Sequence, residues 1–240
     1  MTTTPPPIAV ALDVPTLDEA VELAAVLTDE VAVCKVGLEL FGAHGPEAVA
    51  RIREQAPVFL DLKLHDIPTT VGRAARVLGR MGVAMVTVHA SGAAPMISAA
   101  VEGLQAGHEE GGHEGDPPIV LAVTVLTSMS DQDLRSISAP AAGEQVPALA
   151  SLAVEAGAQG LVCAPTDVAV VRAAVGDDVT LVTPGVRPSW AQADDQARVA
   201  TPAQALDAGA ALLVIGRPIT RADDPAGAAR RIADEIAAGV

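Results

Sequence analysis

Residues 57–71 have the sequence PVFLDLKLHDIPTTV, which joins a short apolar run to a cluster of charged residues. Side chains alternate between the two faces of a strand, so Asp61 and Lys63 share one face and the leucines beside them share the other. The Cα atoms of Asp61 and Lys63 would be roughly 6.6 Å apart, which allows an ion pair or contact with one ligand. Pro68 cannot continue a central strand, and Asp66 is therefore expected in the loop after it.

Lysine is nearly absent from the chain. Of its 15 basic residues only Lys35 and Lys63 are lysines, and the other 13 are arginines. An ordinary surface charge can be arginine, whereas a group that gives up a proton must be lysine, because the guanidinium does not deprotonate. The two lysines are therefore predicted to be functional residues, the alternative being that they are chance survivors of a biased composition.

Seven further apolar runs resemble the run that carries Asp61, and each is followed by a segment with helical spacing. The predicted strands are 8–14, 31–38, 57–64, 82–90, 118–128, 159–165, 179–185 and 211–218. The predicted helices are 16–27, with Thr16 and Glu19 as a capping box, then 46–55, 69–81, 94–105, 144–157, 166–175, 201–208 and 225–238. Continuous apolar runs are typical of strands buried on both faces.

This alternation predicts an α/β protein with a parallel sheet, and eight units suggest closure into a (β/α)8 TIM barrel. The barrel is expected to be a single domain over residues 8–240, after a disordered tail at 1–7. A doubly wound open sheet is the alternative, although no glycine-rich dinucleotide fingerprint follows the first strand. The tract 107–118, which contains His108 and His113, is predicted to be an unstructured loop and not a metal site.

Composition limits the partners and the compartment. The formal net charge of −15 argues against nucleic acid as a partner, since that needs a basic face. Cys34 and Cys163 lie in apolar runs and are predicted to be buried free thiols in a reducing compartment. The sequence shows neither a membrane-spanning run nor a signal peptide, so a soluble, cytoplasmic protein is expected.

Polar residues collect where the predicted strands end, and chemistry in (β/α)8 barrels lies at the carboxyl ends of the strands. His89 is interpreted as mainly structural. The other polar residues and turns at the strand ends are Asp13, Lys35, Asp61 with Lys63, Thr124 with Thr127, Arg187 after Pro184-Gly185, and Gly216 with Arg217. Asp13 or Thr124 taken alone is explained by a strand end that meets water, but together these residues favour a site.

The last two strands indicate an anionic ligand. Gly216 lets a phosphate approach the backbone amides, and Arg217 supplies a forked cation, at the usual phosphate site of such barrels. The segment 184–201 is long for this fold and contains Arg187 and Gln196. It is predicted to be a lid, with a simple surface excursion as the alternative.

The chain resembles the orotidine 5′-phosphate decarboxylase family in six motifs. The central one is Asp-x-Lys-x-x-Asp followed by Ile-Pro and a threonine, here from Asp61 to Thr70. Its companions are ALDVP (11–15), KVGLELF (35–41), TVLTS (124–128), TPGVRP (183–188) and IGRPI (215–219). The central pattern alone is shared with sugar-phosphate enzymes of the same superfamily. A departure is Ser91-Gly92-Ala93, where relatives often have paired glycines, which affects backbone freedom.

The resemblance implies a cofactor-free and metal-free conversion of orotidine 5′-phosphate to uridine 5′-phosphate and carbon dioxide. Lys63 would protonate C6, and Asp61 would lie beside the substrate carboxylate. The resemblance further implies a homodimer in which Asp66, Ile67 and Thr70 reach the neighbouring subunit's site. The implied substrate contacts are Asp13 and Lys35 to the ribose, Thr127 to the pyrimidine, and Arg187, Gln196, Gly216 and Arg217 to the phosphate.

Two other classes of function are possible from the residues alone. One is a sugar-phosphate aldolase or isomerase, which is expected to need a divalent metal. The other is a nucleotide-binding protein without turnover, against which the intact Asp61 and Lys63 pair argues.

Overall fold

The computed structural model describes residues 5–191 and 200–239. Eight parallel strands form a closed barrel in sequence order, with β1 paired to both β2 and β8. The strands are β1 (Ile8–Ala11), β2 (Val33–Val36), β3 (Val58–Leu64), β4 (Met85–His89), β5 (Ile119–Val123), β6 (Gly160–Val162), β7 (Thr180–Pro184) and β8 (Leu212–Ile215). Closure confirms the (β/α)8 prediction over the open sheet, and the barrel is a single domain.

Helices follow the strands and surround the barrel. They are α1 (Leu17–Val26), α2 (Leu38–His44), α3 (Pro46–Arg53), α4 (Pro68–Gly79), α5 (Ala93–Glu110), α6 (Asp131–Ser136), α7 (Ala142–Glu155), α8 (Val168–Val175), α9 (Pro202–Asp207), α10 (Arg217–Thr220) and α11 (Pro225–Ala238). Thr16 caps α1 by accepting the N–H of Glu19 at 3.2 Å, which is one of the two hydrogen bonds of the predicted capping box. Among the described residues no helix has the length and apolar character needed to cross a membrane.

The apolar runs are continuous because each strand contributes to two layers of core. One layer fills the barrel itself and the other lies between strands and helices. The fully enclosed inner layer contains Ala9, Val33, Phe59, Leu121, Val123, Val162, Val182 and Leu212. With so few aromatic residues, the barrel is filled mainly by branched aliphatic side chains, which leaves Phe59 as its one large ring among the described residues.

The structure differs from the sequence prediction at four helices. Helices α2, α6 and α10 were not predicted, and α10 begins inside the predicted strand 211–218. Helix α2 is separated from α3 by Gly45, whose φ of 54° ends the helix. The tract predicted as a loop at 107–118 begins inside α5, which continues to Glu110. Arg76 of α4 and Arg80, the residue that follows α4, form ion pairs with Glu110 and hold this last turn in place. The predicted disorder of residues 1–7 stays a prediction, since 1–4 lie outside the described residues.

Candidate active site

The end of β3 departs from regular strand geometry at Lys63. Its φ of 52° lies in the left-handed region, and the pairing of β3 with β4 changes register between Leu60 and Leu64. A lysine in this region is strained because of its Cβ atom, whereas a glycine would not be. The backbone N–H of Lys63 donates to Thr87 Oγ1 at 2.8 Å, so a side chain of β4 replaces a strand-to-strand backbone contact. This bulge aims the Lys63 side chain into the mouth of the barrel.

Four charged side chains from three strand ends form one alternating array. Lys63 Nζ lies 2.9 Å from both carboxylate oxygens of Asp61. Lys35 Nζ lies 3.7 Å from Asp61 Oδ2 and 3.4 Å from Asp13 Oδ1, so it stands between two acids. Lys35 is only 8% exposed. Alternation of sign offsets the cost of removing these charges from water.

The Asp61 carboxyl is held in its ionised form. Burial alone would raise the pKa of Asp61, but the positive charges of Lys35 and Lys63 outweigh burial and bring this pKa below its ordinary value. Hydrogen bonds from Lys63 and from the Thr87 hydroxyl lower the pKa further. A carboxylate therefore faces the cavity at neutral pH, beside the ammonium group of Lys63.

These charges line one end of a cavity of about 290 Å³ at the carboxyl ends of the strands. Phe59 and aliphatic side chains of β5, β6 and β8 form its floor. The rest of the wall includes residues of the segments after β5, β7 and β8. Of the residues predicted from sequence, the cavity wall includes Asp13, Lys35, Asp61, Lys63, Thr127, Arg187, Gly216 and Arg217. Charged, anionic and apolar parts of one ligand can therefore be held at once in this cavity.

A family model described as "Orotidine 5'-phosphate decarboxylase / HUMPS family" matches residues 6–232. The chain belongs to this family. A protein of Thermobifida fusca named orotidine 5′-phosphate decarboxylase is 51% identical over 233 residues, which cover 96% of this chain and 95% of that protein. A protein of the same name from Heliobacterium modesticaldum is 48% identical over 234 residues, 96% of each chain.

Solved structures agree with this relationship. The crystal structure of orotidine 5′-phosphate decarboxylase from Lactobacillus acidophilus superimposes with a TM-score of 0.83 at 38% identity, covering 96% of this chain and 98% of that one. A structure from Pyrococcus horikoshii at 24% identity has a TM-score of 0.76 over 96% of this chain and 99% of that one, and it shows the shared fold.

Three residues predicted for the site are described by the structure and do not line this family member's cavity. Asp66, Ile67 and Thr70 lie at the start of α4 and are exposed, with Ile67 at 66%. Asp66 Oδ1 accepts the N–H of Ile67 at 2.6 Å, which fixes the turn into α4. Gln196 lies outside the described residues.

The two ends of the predicted lid segment are tied together and to α11. The N–H of Arg187 donates to Ala200 O at 2.9 Å. The N–H of Ser189 donates to Glu235 Oε1 at 2.9 Å, and Arg231 stacks over the Trp190 ring at 4.4 Å from its centroid. Glu235 is one of the few buried charged residues. The segment therefore leaves the barrel from a fixed base.

Sequence reasoning missed Thr87 and the apolar floor of the cavity. Thr87 is the polar residue in the middle of the run VAMVTVHA, and that isolation was the available signal. His89 was interpreted as structural, and its ring lies 5.4 Å from that of His65. Burial, and then the neighbouring His65 and Lys63, lower the pKa of His89, so its imidazole is neutral at pH 7.

Proposed function

We propose that this chain decarboxylates orotidine 5′-phosphate to uridine 5′-phosphate and carbon dioxide, the last step of de novo pyrimidine synthesis. The observation that carries the proposal is the Lys63 ammonium, 2.9 Å from the Asp61 carboxylate, in a cavity that also holds Gly216 and Arg217. The names of relatives at about half identity over nearly the whole chain support the same reaction.

In the proposed reaction the bond between C6 and the carboxylate breaks, and its electron pair stays on C6 as carbon dioxide leaves. Lys63 Nζ gives a proton to C6. Before that, its positive charge stabilises the charge that develops on this carbon in the transition state. Asp61 faces the substrate carboxylate, and repulsion between the two anions disfavours the bound ground state. All the acid and base chemistry comes from side chains, so we propose no cofactor and no metal.

Binding is divided along the cavity. Asp13 and Lys35 bind ribose hydroxyls, Thr127 bonds the pyrimidine, and Arg187, Gln196 and the turn at Gly216 and Arg217 hold the phosphate. The described members of this set line the same cavity, which supports the division. Contacts to the phosphate are remote from C6, so their binding energy can be used at the reacting carbon.

We further propose a homodimer in which Asp66, Ile67 and Thr70 complete the neighbouring subunit's site. Their exposure supports this, as does the exposure of Leu38, which follows the carboxyl end of β2, the strand paired with β3. Mixing inactive Lys63→Ala with inactive Asp66→Asn tests it, because a mixed dimer contains one site with both native residues. Restored activity is expected; a mixture that stays inactive although mixed dimers form would contradict shared sites.

Two buried free cysteines support a reducing, cytoplasmic setting.

The experiment for the reaction is to follow the orotate absorbance of orotidine 5′-phosphate with purified protein and excess chelator. Rapid loss of absorbance, together with formation of uridine 5′-phosphate, is expected. If folded protein leaves the absorbance unchanged, the proposal is wrong, and sugar phosphates with magnesium are the next substrates to test, because the family description also includes HUMPS enzymes.

A further inference from the structure

Thr87 is a fully buried polar residue in the middle of β4, between Val86 and Val88. A buried hydroxyl costs free energy unless it is hydrogen-bonded, and valine would fill the same space in a strand without that cost. The hydroxyl is therefore expected to have a use that apolar packing does not explain.

The Thr87 hydroxyl acts as both an acceptor and a donor, and its two partners are Lys63 and Asp61. Thr87 Oγ1 accepts the backbone N–H of Lys63 at 2.8 Å. It lies 2.9 Å from Asp61 Oδ1, and since a carboxylate can only accept, the hydroxyl donates its single proton there. One side chain thus joins the backbone of Lys63 to the carboxylate of Asp61.

The backbone geometry of Lys63 needs such support. Its φ of 52° is unfavourable for a residue with a Cβ, and the register change between Leu60 and Leu64 removes regular pairing at this point. The bond to Thr87 supplies the N–H of Lys63 with a partner in place of a backbone carbonyl. Without it, the strand end can relax toward a regular conformation, which would move Lys63 Nζ away from Asp61.

We propose that Thr87 is a positioning residue, which holds the Lys63 ammonium and the Asp61 carboxylate in the relative arrangement that the reaction requires. The inference rests on the proposed function for its effect on turnover. Its structural part, the position of Lys63 relative to Asp61, does not depend on which substrate is used. Thr87 itself is not among the wall residues of the cavity, so we assign it a positioning role and not a catalytic one.

The test compares Thr87→Val, which keeps the shape and removes both hydrogen bonds, with Thr87→Ser, which keeps the hydroxyl. Thr124→Val is the matched control, because Thr124 is also a buried threonine at a strand end, and its hydroxyl donates to Val162 O at 3.1 Å, away from the charges. Thr87→Ala serves the same purpose if the valine variant does not fold.

For Thr87→Val we expect kcat to fall about 10²-fold, as for other small misplacements of catalytic groups, with KM changed less than about threefold. The acid limb of the kcat profile should move to higher pH, because Asp61 loses a hydrogen bond to its ionised form. Thr87→Ser should recover most of the activity, and Thr124→Val should retain native kcat and pH dependence.

Equal and small losses of kcat in Thr87→Val and Thr124→Val, with an unmoved acid limb, would overturn the proposal. A crystal structure of Thr87→Val separates this failure from failure of the proposed reaction. A changed φ at Lys63 or a longer distance from Lys63 Nζ to Asp61 is expected whatever the substrate, and unchanged geometry would contradict the positioning role.

Discussion

The two ends of the barrel both carry clusters of arginine or lysine with acids, yet their physical settings are opposite. At the carboxyl end, Asp61 and Lys35 are largely buried and Lys63 has a strained backbone. At the amino end, Arg76 and Arg80 pair with Glu110 on the exposed surface of two regular helices. Buried charges and a strained backbone lower the stability of the fold, so the carboxyl-end arrangement indicates a functional site. Exposed ion pairs such as those at the amino end contribute little to stability.

The two ends of the barrel each have a cavity, and the cavities differ in size and in the burial of charge. The amino-end cavity, about 510 Å³, is larger than the 290 Å³ cavity at the carboxyl end. Its wall includes His108 and His113, whose rings lie 5.5 Å apart. His113 contacts Arg53 and the carbonyl of Arg80, which joins the end of α5 to its neighbours. Size therefore does not identify the site in this barrel; buried charge does.

The largest effect is expected for Lys63→Ala, which removes the proposed proton donor. We expect kcat to fall by about 10³-fold or more, while uridine 5′-phosphate still binds, because the proposed phosphate contacts at Gly216 and Arg217 do not involve Lys63. Steady-state kinetics and calorimetric titration measure the two parts. Loss of nucleotide binding equal to the loss of turnover would show that the two ends of the cavity do not divide these roles.

Lys35→Met is expected to have the next largest effect, about 10²-fold in kcat. Lys35 and Lys63 hold the pKa of Asp61 below its ordinary value, so in the native protein the acid limb of kcat should lie at lower pH than an ordinary carboxyl group would give. The stability that ionised Asp61 contributes is present above its unfolded-state pKa and is lost as pH falls through the folded-state pKa. In Lys35→Met the acid limb of kcat and the acid unfolding transition should both move to higher pH. Unmoved transitions in pH titrations of kcat and unfolding would contradict this electrostatic account.

Arg217→Ala should act mainly on binding. Removing one charged hydrogen bond to the phosphate is expected to raise KM between about tenfold and about 10²-fold, with a smaller change in kcat. Initial-rate kinetics over a range of substrate concentrations measure both constants. A fall in kcat with native KM would place Arg217 in the chemistry and not in phosphate binding.

Glu110→Gln, at the amino end, should have the smallest effect and sharpens the comparison. It removes the carboxylate that pairs with Arg76 and Arg80, both on an exposed surface. We expect a small fall in Tm in thermal unfolding and native kcat and KM. A fall in kcat would mean that the amino-end charges influence the reaction, and would contradict the assignment of the reaction to the carboxyl end alone.

The fold and most of the charge array follow from local sequence patterns. Buried parallel strands are continuous apolar runs, so all eight could be found from hydrophobicity alone. The period of two placed Asp61 and Lys63 on one face, and the ion pair at 2.9 Å is in accord with that spacing. Helices α2, α6 and α10 were missed because short helices in a βα segment have weak periodicity and their bounds depend on packing against neighbours.

The remaining features depend on contacts between distant parts of the chain. The role of Thr87 needs the register change between β3 and β4, which no pattern in either strand encodes. The base of the 184–201 segment needs Glu235, which is 46 residues from Ser189. Ala93 stands where relatives often have a glycine, and the sequence comparison predicted an effect on backbone freedom there. Its φ of 66° lies in a region that favours glycine, which agrees with that prediction.

A crystal structure with bound uridine 5′-phosphate is the measurement that tests the central claim most directly. The account predicts a nucleotide in the carboxyl-end cavity, with C6 facing Lys63 Nζ and the phosphate at Gly216 and Arg217. A nucleotide in the amino-end cavity, or one whose phosphate rather than base meets Lys63, would contradict it.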